Sequence, residues 1–390
     1  MILLPPSNWD DALIGIFKQL GITETYGKLA VDEIGGGRPA SGLPVVSKRQ
    51  AANHIRNLHA QGITFNYLLN GVHFNGREFT KTGRNKIYKL LRWLHDIEVD
   101  MVTVSMPYLL RLIKDKYPSL KVCVSTNAGV QSVGHAKFWE RIGADEITLS
   151  HVFVNRNFVQ LKLIREAVSC PIRLIANIAC MSQCPLFNSH TIWDTYASQK
   201  SSCGRAGLFM CYYIIYCRYM RLINPSEFIR SPWIRPEDVS EYEKRGIDKI
   251  KLVDRKCSTE NIANITTAYH NRRYKGNLID LLPHLHGKSP LTLKNIFTKM
   301  RYIIHPYETP LSSEYEFIRL FHDMDVYIDN TKLNNFIKKF IDEDCSQKDC
   351  EDCKYCDGVA DDVVVFDKDK IERAREKYKH FLDNFIQGRY

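Results

Sequence analysis

Short apolar runs alternate with amphipathic helical stretches along the chain as far as Arg255. The apolar runs are rich in Val, Ile and Thr, and turn or capping residues bound them, which is typical of buried strands. They lie at Ile2–Leu4, Thr64–Leu69, Met101–Val104, Lys121–Ser125, Glu146–Leu149, Ile172–Ala176 and Lys249–Val253, with an eighth expected near Thr25–Ala30. Helical periodicity fills the intervals, as in Lys86–Ile97, Tyr108–Lys116, Gly134–Ile142 and Asn157–Val168.

Strands that alternate with helices predict a parallel sheet covered by helices. Eight such strands would close into a (β/α)8 barrel of ordinary size. An open doubly wound sheet is the alternative, but no G-x-G-x-x-G run follows a predicted strand. We therefore predict an α/β fold: a TIM-like (β/α)8 barrel over residues 1–275, followed over 276–390 by a mostly helical, cysteine-rich C-terminal extension.

Polar side chains follow successive predicted strands, where a barrel carries its catalytic groups. Any single one would serve to cap the next helix, whereas the whole set indicates a polar cavity. His151 is suited to acid–base chemistry near neutral pH, and Arg255 to holding a carboxylate. We expect catalytic roles for His151, Asn177, Arg255 and Glu33, and substrate binding by Arg38, Asn70, Ser125 and Asn127. The Gly35–Gly37 run beside Arg38 lacks the Lys and Ser/Thr of a phosphate loop.

Twelve cysteines are the most informative feature of the composition. The N-terminus has no basic segment before its apolar residues, so we expect no secretory signal, and a disulfide framework is then not expected. Cysteines at short spacings in a reducing compartment are more often metal ligands. Cys123 and Cys170, within a strand and beside a strand start, fit buried packing instead.

The first cysteine group opens the loop after the strand Ile172–Ala176. Cys180 and Cys184 are four residues apart, Cys203, Cys211 and Cys217 follow, and Cys257 comes after the last barrel strand. Thiolates at the mouth of a barrel are ligands for iron–sulfur clusters and for zinc. The long gaps are less typical of a compact zinc site, so iron–sulfur chemistry is favoured.

The second group is compact: Cys345, Cys350, Cys353 and Cys356 lie within twelve positions. Their C-x2-C-x2-C core is the spacing of bacterial ferredoxin-type clusters. Four thiolates also make a closed zinc site. We therefore predict either a second 4Fe-4S cluster or a zinc ion in the extension.

Three stretches resemble peptidase family U32, the collagenase-like peptidases. They are the strand–helix–strand that runs from Cys123 to Ser150, the loop Asn177–Pro185, and Trp233–Asp238 together with Gly246–Arg255. The resemblance covers roughly residues 60–275, and it implies a barrel whose four cysteines hold a 4Fe-4S cluster. Several family members resemble oxygen-independent hydroxylases that modify RNA bases or quinone precursors. On that resemblance we assign Cys180, Cys184, Cys211 and Cys217 as ligands, with Cys203 and Cys257 as reserves.

The function that these features favour is an iron–sulfur redox enzyme acting on a nucleobase, quinone precursor, peptide or small metabolite, with an electron donor or acceptor protein as a further partner. The family name offers a peptidase as the alternative, although the chain has no H-E-x-x-H motif. A formal net charge of +10 leaves an RNA- or peptide-binding module open. We expect a cytoplasmic protein with no membrane span, because no uncharged apolar run is long enough.

Overall fold

Eight parallel strands form the centre of the molecule in the computed structural model, which describes residues 1–202, 211–285 and 326–389. The strands are β1 (Ile2–Leu4), β2 (Glu24–Gly27), β3 (Thr64–Leu69), β4 (Met101–Val104), β5 (Lys121–Val124), β6 (Glu146–Thr148), β7 (Ile172–Ile175) and β8 (Lys249–Lys251). Their order in the sheet is β1-β8-β7-β6-β5-β4-β3-β2. A parallel bridge between Pro6 and Tyr26 joins the two outer strands, so the sheet closes into the predicted barrel.

Helices surround the barrel. They are α1 (Ala12–Gln19), α2 (Lys48–His59), α3 (Lys81–Asp96), α4 (Pro107–Lys116), α5 (Val133–Arg141), α6 (His151–Val154), α7 (Phe158–Ala167), α8 (Phe187–Tyr196), α9 (Tyr212–Ile223), α10 (Ser226–Arg230), α11 (Val239–Glu243) and α12 (Thr259–His270). Five of these twelve helices, α2, α3, α5, α7 and α12, begin at a side-chain cap. At α2, for example, Ser47 and Gln50 form a reciprocal capping box. No helix within the described ranges has the length and apolar character needed to cross a membrane.

All eight predicted strands are present, and the predicted second strand is displaced. It begins at Glu24 rather than Thr25 and ends at Gly27 rather than Ala30. The chain leaves the sheet there because Lys28 forms a buried ion pair with Asp32 in the following loop. The Leu29 amide also turns to donate to the Tyr67 hydroxyl at 3.2 Å.

A layer of charged side chains fills the lower part of the barrel. Arg173 on β7 pairs with Glu24 at 2.6 Å and with Glu146. Lys249 on β8 reaches the same carboxylates, at 2.8 Å for Glu24 and 2.5 Å for Glu146. Because two cations face two carboxylates, this buried layer is electrically balanced.

The C-terminal extension packs on the outside of the barrel. Its described elements are β9 (Val326–Ile328), α13 (Lys338–Asp342), α14 (Cys350–Cys353), α15 (Tyr355–Val363), β10 (Val364–Phe366) and α16 (Lys368–Ile386). β9 and β10 pair antiparallel, and the helical character predicted for this region is confirmed. Arg156 joins the extension to the barrel: its guanidinium lies over the rings of Trp233, Phe336 and Phe340 at 4.2, 4.9 and 5.1 Å.

Candidate functional site

A cavity of about 300 Å³ opens at the carboxyl ends of the barrel strands. Most of the residues predicted for a site line it: Arg38, Asn70, Ser125, Asn127, His151, Arg255, Cys180, Cys184 and Cys217. The structure thus brings together residues that are far apart in the sequence, because every parallel strand ends at the same rim.

Arg38 connects the first and last loops of this rim. Its Nε donates to Asp254 Oδ2 at 2.7 Å, and one Nη lies 2.6 Å from His284 Nε2. Burial alone would raise the pKa of Asp254, but Arg38, His284 and Lys256 together hold it well below the ordinary value. Asp254 is therefore an anion at neutral pH, and the Arg38 guanidinium is oriented by it.

The glycine run before Arg38 permits a close approach to the neighbouring strand ends. A Cβ at Gly36 would lie 2.7 Å from Asn70 Oδ1, and one at Gly37 would lie 2.9 Å from Asn127 Nδ2. Side chains at either position would therefore displace the two amides. Asn127 Nδ2 also donates to the Asn70 carbonyl at 3.0 Å, so these residues form one polar wall.

His151 stands between Thr126 and Cys180. Its Nδ1 lies 2.9 Å from Thr126 Oγ1, and its Nε2 lies 3.3 Å from Cys180 Sγ. Burial, reinforced by the charge of Arg38, lowers the pKa of His151 to about 3. The imidazole is therefore neutral at physiological pH, and one of its nitrogens faces a cavity thiol.

Three thiols line the cavity near the buried Arg221. Cys180, Cys184 and Cys217 all line it, and Arg221 Nη1 donates to Cys217 Sγ at 2.6 Å. Arg221 is anchored by the Ala179 carbonyl at 2.5 Å and by Ser231 Oγ at 3.1 Å. Burial, with the neighbouring Cys217 and Cys184 thiols, raises the pKa of Cys180 to about 12.

The remaining cysteines of this group are placed differently. Cys211 is buried at the start of α9, about one and two-thirds turns before Cys217. Burial is the largest cause that raises the pKa of Cys211, and the nearby Asp194 carboxylate and Cys217 thiol raise it further. Cys257, which follows β8, packs at the edge of the core and does not line the cavity. Cys203 lies outside the described residues.

Two residues predicted as catalytic do not line the cavity. Asn177 is fully buried, and it donates to the carbonyls of Val253 and Leu281 while accepting from the Val253 amide. Its amide therefore joins the ends of β7 and β8. Glu33 pairs with Arg77 at 3.3 Å. Their catalytic roles stay predictions, and the contacts that each makes are structural.

The four cysteines of the extension surround a second, small cavity. Cys345, Cys350, Cys353 and Cys356 line a space of about 20 Å³ together with Arg230. Burial raises the pKa of Cys356 to about 12, against the nearby charge of Arg156. Across residues 1–202, 211–285 and 326–389, no three His, Cys, Asp or Glu side chains are arranged to hold a single metal ion as they stand.

The cavity residues that sequence reasoning missed include Arg221, Lys251 and His284. Arg221 and His284 follow no strand, so the strand-end pattern did not include them. Lys251 had a signal: it lies two residues after Lys249 on a buried strand, and alternate residues of a strand face the same side.

Fold and cavity together define a (β/α)8-barrel protein whose substrate-sized pocket is lined by thiols and cations. The sequence profile of peptidase family U32 matches residues 46–183. An uncharacterised protease of Methanocaldococcus jannaschii is 32% identical over 231 residues, which are 59% of this chain and 67% of that protein. The chain belongs to peptidase family U32.

Two solved structures are also similar. The U32 peptidase Mk0906 has 21% identity and a TM-score of 0.49, and the alignment covers 65% of this chain and 93% of that one. FabK from Thermotoga maritima has 16% identity and a TM-score of 0.29, with 50% and 55% covered.

Proposed function

We propose that this chain is an iron–sulfur redox enzyme that carries out an oxygen-independent hydroxylation or a related modification of an organic substrate in the barrel cavity. The observation that carries the proposal is that Cys180, Cys184 and Cys217 line the same cavity as the polar strand ends. Metal-binding thiolates beside a substrate pocket are better suited to redox chemistry than to a purely structural role.

The donor set fits a 4Fe-4S cluster. Cys180, Cys184 and Cys217 would hold three irons. Cys211, which is buried at the start of the helix that carries Cys217, would hold the fourth. When bound, such a cluster supplies one-electron transfer. Arg221, which donates to Cys217 and is held in place by Ala179 and Ser231, would offset the negative charge of a cluster bound there.

The other cavity groups would bind and orient the substrate. Asn70 and Asn127 offer amide donors and acceptors, and Ser125 a hydroxyl, from one wall. Arg255 offers a cation from the opposite side of the barrel, where it donates a hydrogen bond of 3.4 Å to the Lys28 carbonyl. A nucleobase, a quinone precursor, a peptide or a small metabolite would each find partners in this set.

The extension would carry a second cluster or a zinc ion. Its four thiols line one small cavity, with Arg230 beside them. Arg230 pairs with Asp357 at 2.7 Å on one side and with Glu227 at 3.0 Å on the other. A second 4Fe-4S cluster here would pass electrons between the barrel and a partner protein, whereas zinc would only fasten the extension. Free thiols at both places suit a reducing cytoplasm.

A hydrolase is the second candidate, because His151 Nε2 lies 3.3 Å from Cys180 Sγ. That distance is within the range of a nucleophile and its base. An activated cysteine, however, has a lowered pKa, whereas burial raises the pKa of Cys180 to about 12. This raised pKa counts against Cys180 as an activated nucleophile.

The experiment is the content of iron and acid-labile sulfide in anaerobically purified protein, with visible and EPR spectra, for wild type, Cys180→Ser and Cys353→Ser. Cys170→Ser is the matched control, because Cys170 is half-buried and lies outside both cavities. We expect one four-iron cluster to disappear with Cys180→Ser and the second cluster, or a zinc ion, with Cys353→Ser. Iron that is absent even after reconstitution would overturn the proposal and favour the hydrolase.

A further inference from the structure

Lys249 and Lys251 lie two residues apart on β8, and both side chains enter the barrel. Lys249 pairs with Glu24 at 2.8 Å and with Glu146 at 2.5 Å. Lys251 lies one layer nearer the cavity and is 8% exposed. Its ammonium pairs with no carboxylate among the residues that the structure describes, so two lysines of one strand have opposite electrostatic surroundings.

The surroundings of Lys251 disfavour a positive charge. Burial and the cations Arg173, Arg255 and Arg38 lower its pKa to about 7, against the opposing effect of the Cys123 thiol. The nearest aromatic group is Tyr26, whose ring centre is 3.9 Å from Nζ. A desolvated lysine beside other cations is the arrangement that makes an amine nucleophilic at neutral pH.

The amine is open to the cavity. Lys251 lines it together with Thr103, Thr148 and Tyr26, and a volume of about 300 Å³ admits a small organic molecule. Arg255 lines the same cavity. It also makes no ion pair with a carboxylate in the described ranges, so its guanidinium has no anionic partner in direct contact. A ligand with a carboxylate would supply one.

We propose that Lys251 forms a Schiff base with the carbonyl group of a small 2-oxo acid whose carboxylate binds Arg255. Lys249 is excluded from this role because its ammonium is held by two carboxylates. This inference does not rest on the iron–sulfur proposal, since neither Lys251 nor Arg255 is an assigned metal ligand.

The step is balanced without an oxidant or reductant. The lone pair of neutral Nζ forms a bond to the carbonyl carbon, and the π pair of the C=O bond moves to oxygen. A proton transfers from nitrogen to that oxygen, giving a carbinolamine. A second protonation of the hydroxyl lets water leave, and the C=N bond forms.

The test is reductive trapping on the full-length, anaerobically purified protein. Glyoxylate or pyruvate is added at pH 7 with sodium cyanoborohydride, and the adduct is located by peptide mass mapping. Because the neutral fraction of an amine with a pKa of about 7 exceeds that of an ordinary lysine by roughly a thousandfold at pH 7, we expect one dominant adduct, on Lys251. Lys251→Arg should abolish it, since this variant keeps the charge and removes the nucleophile.

Lys256→Arg is the matched control, because Lys256 lines the same cavity beside Asp254, and it should keep the adduct. An adduct spread over exposed lysines, or one that persists in Lys251→Arg, would overturn the proposal. So would saturable glyoxylate binding with no covalent product, which would make Lys251 an anion-binding residue only. Thermal unfolding and iron content of each variant, measured on the same samples, separate this failure from misfolding and from failure of the cluster proposal.

Discussion

His151 Nε2 lies 3.3 Å from Cys180 Sγ, and Thr126 Oγ1 holds the opposite ring nitrogen at 2.9 Å. The three residues follow β5, β6 and β7, so three successive strands determine this single contact. A thiol that binds metal depends on such neighbours, because groups around the ligands orient them and tune the centre.

On the proposed iron–sulfur function, replacing His151 by Phe should accelerate the loss of iron from the reconstituted barrel site. Phe keeps the edge contact that His151 makes with Phe187 at 5.7 Å between ring centres, and it removes the contact from Nε2 to Cys180. Loss of such a neighbour typically costs a factor of about 10 to 100 in metal affinity. The measurement is the rate of anaerobic iron transfer to a chelator. His190→Phe, in the same cavity, should release iron at the wild-type rate, and equal rates for all three proteins would contradict the assignment of Cys180.

Replacing Arg173 by Met should destabilise the whole barrel. Glu24 and Glu146 would then face Lys249 alone in a buried layer. Breaking a buried charge network in this way costs about 3–5 kcal/mol in the free energy of unfolding. Urea denaturation followed by circular dichroism measures it.

Arg165→Met is the control for Arg173→Met. Arg165 pairs with Asp248 at 3.0 Å, where the Asp248 side chain is 42% exposed. Removal of such a surface pair should cost no more than about 1 kcal/mol. A similar loss of unfolding free energy in both variants would contradict a larger contribution of the buried layer to stability.

The same layer predicts how stability changes with acid. Burial would raise the pKa of Glu24, but Arg173 and Lys249 bring it below the ordinary value. The folded state therefore binds the proton more weakly than the unfolded state. The stabilisation is complete above the ordinary glutamate pKa of about 4.3, and it is lost as pH falls through the lower folded pKa.

Glu24→Gln should accordingly lower stability at neutral pH and flatten its decline below about pH 4. The measurement is the urea midpoint between neutral pH and pH 3. Glu166→Gln is the control, because the Glu166 side chain is 61% exposed and its Oε1 lies 3.9 Å from Lys162 Nζ. An unchanged acid slope in Glu24→Gln would mean that Glu24 does not control acid stability.

Replacing Arg156 by Ala should loosen the extension. Its guanidinium lies over three rings, and it donates to the Ile229 carbonyl at 2.6 Å. We expect a loss of about 2–4 kcal/mol in the free energy of unfolding, because a buried cation–π contact and hydrogen bonds from a charged donor disappear together. Limited proteolysis should then cut more rapidly in the extension.

Arg245→Ala is the control for Arg156→Ala. Arg245 lies over one ring, that of Phe158, at 5.0 Å, and its side chain is 28% exposed. Proteolysis of the extension in this variant should match wild type. An Arg156→Ala protein with wild-type proteolysis would contradict the role of Arg156 in joining the extension to the barrel.

The strand pattern was legible in the sequence because buried parallel strands are short apolar runs between turn and cap residues. The strand Thr64–Leu69 was predicted to the residue. The second strand was displaced because its end depends on the buried pair of Lys28 and Asp32 in the loop, and apolar periodicity does not report such a pair.

The sequence by itself determined the barrel, the strand-end rim and the two cysteine groups, since these follow from local periodicity and spacing. Only the tertiary structure decided what each polar residue faces. Asn177 and His151 both follow strands, yet the first joins two strand ends while the second faces a thiol. Lys249 and Lys251 share a strand face, yet among the described residues the carboxylates of β2 and β6 form ion pairs with Lys249 and not with Lys251. Contacts of this kind join residues as far apart as Arg38 and His284, which are 246 positions apart, and their geometry exists only once the barrel has closed.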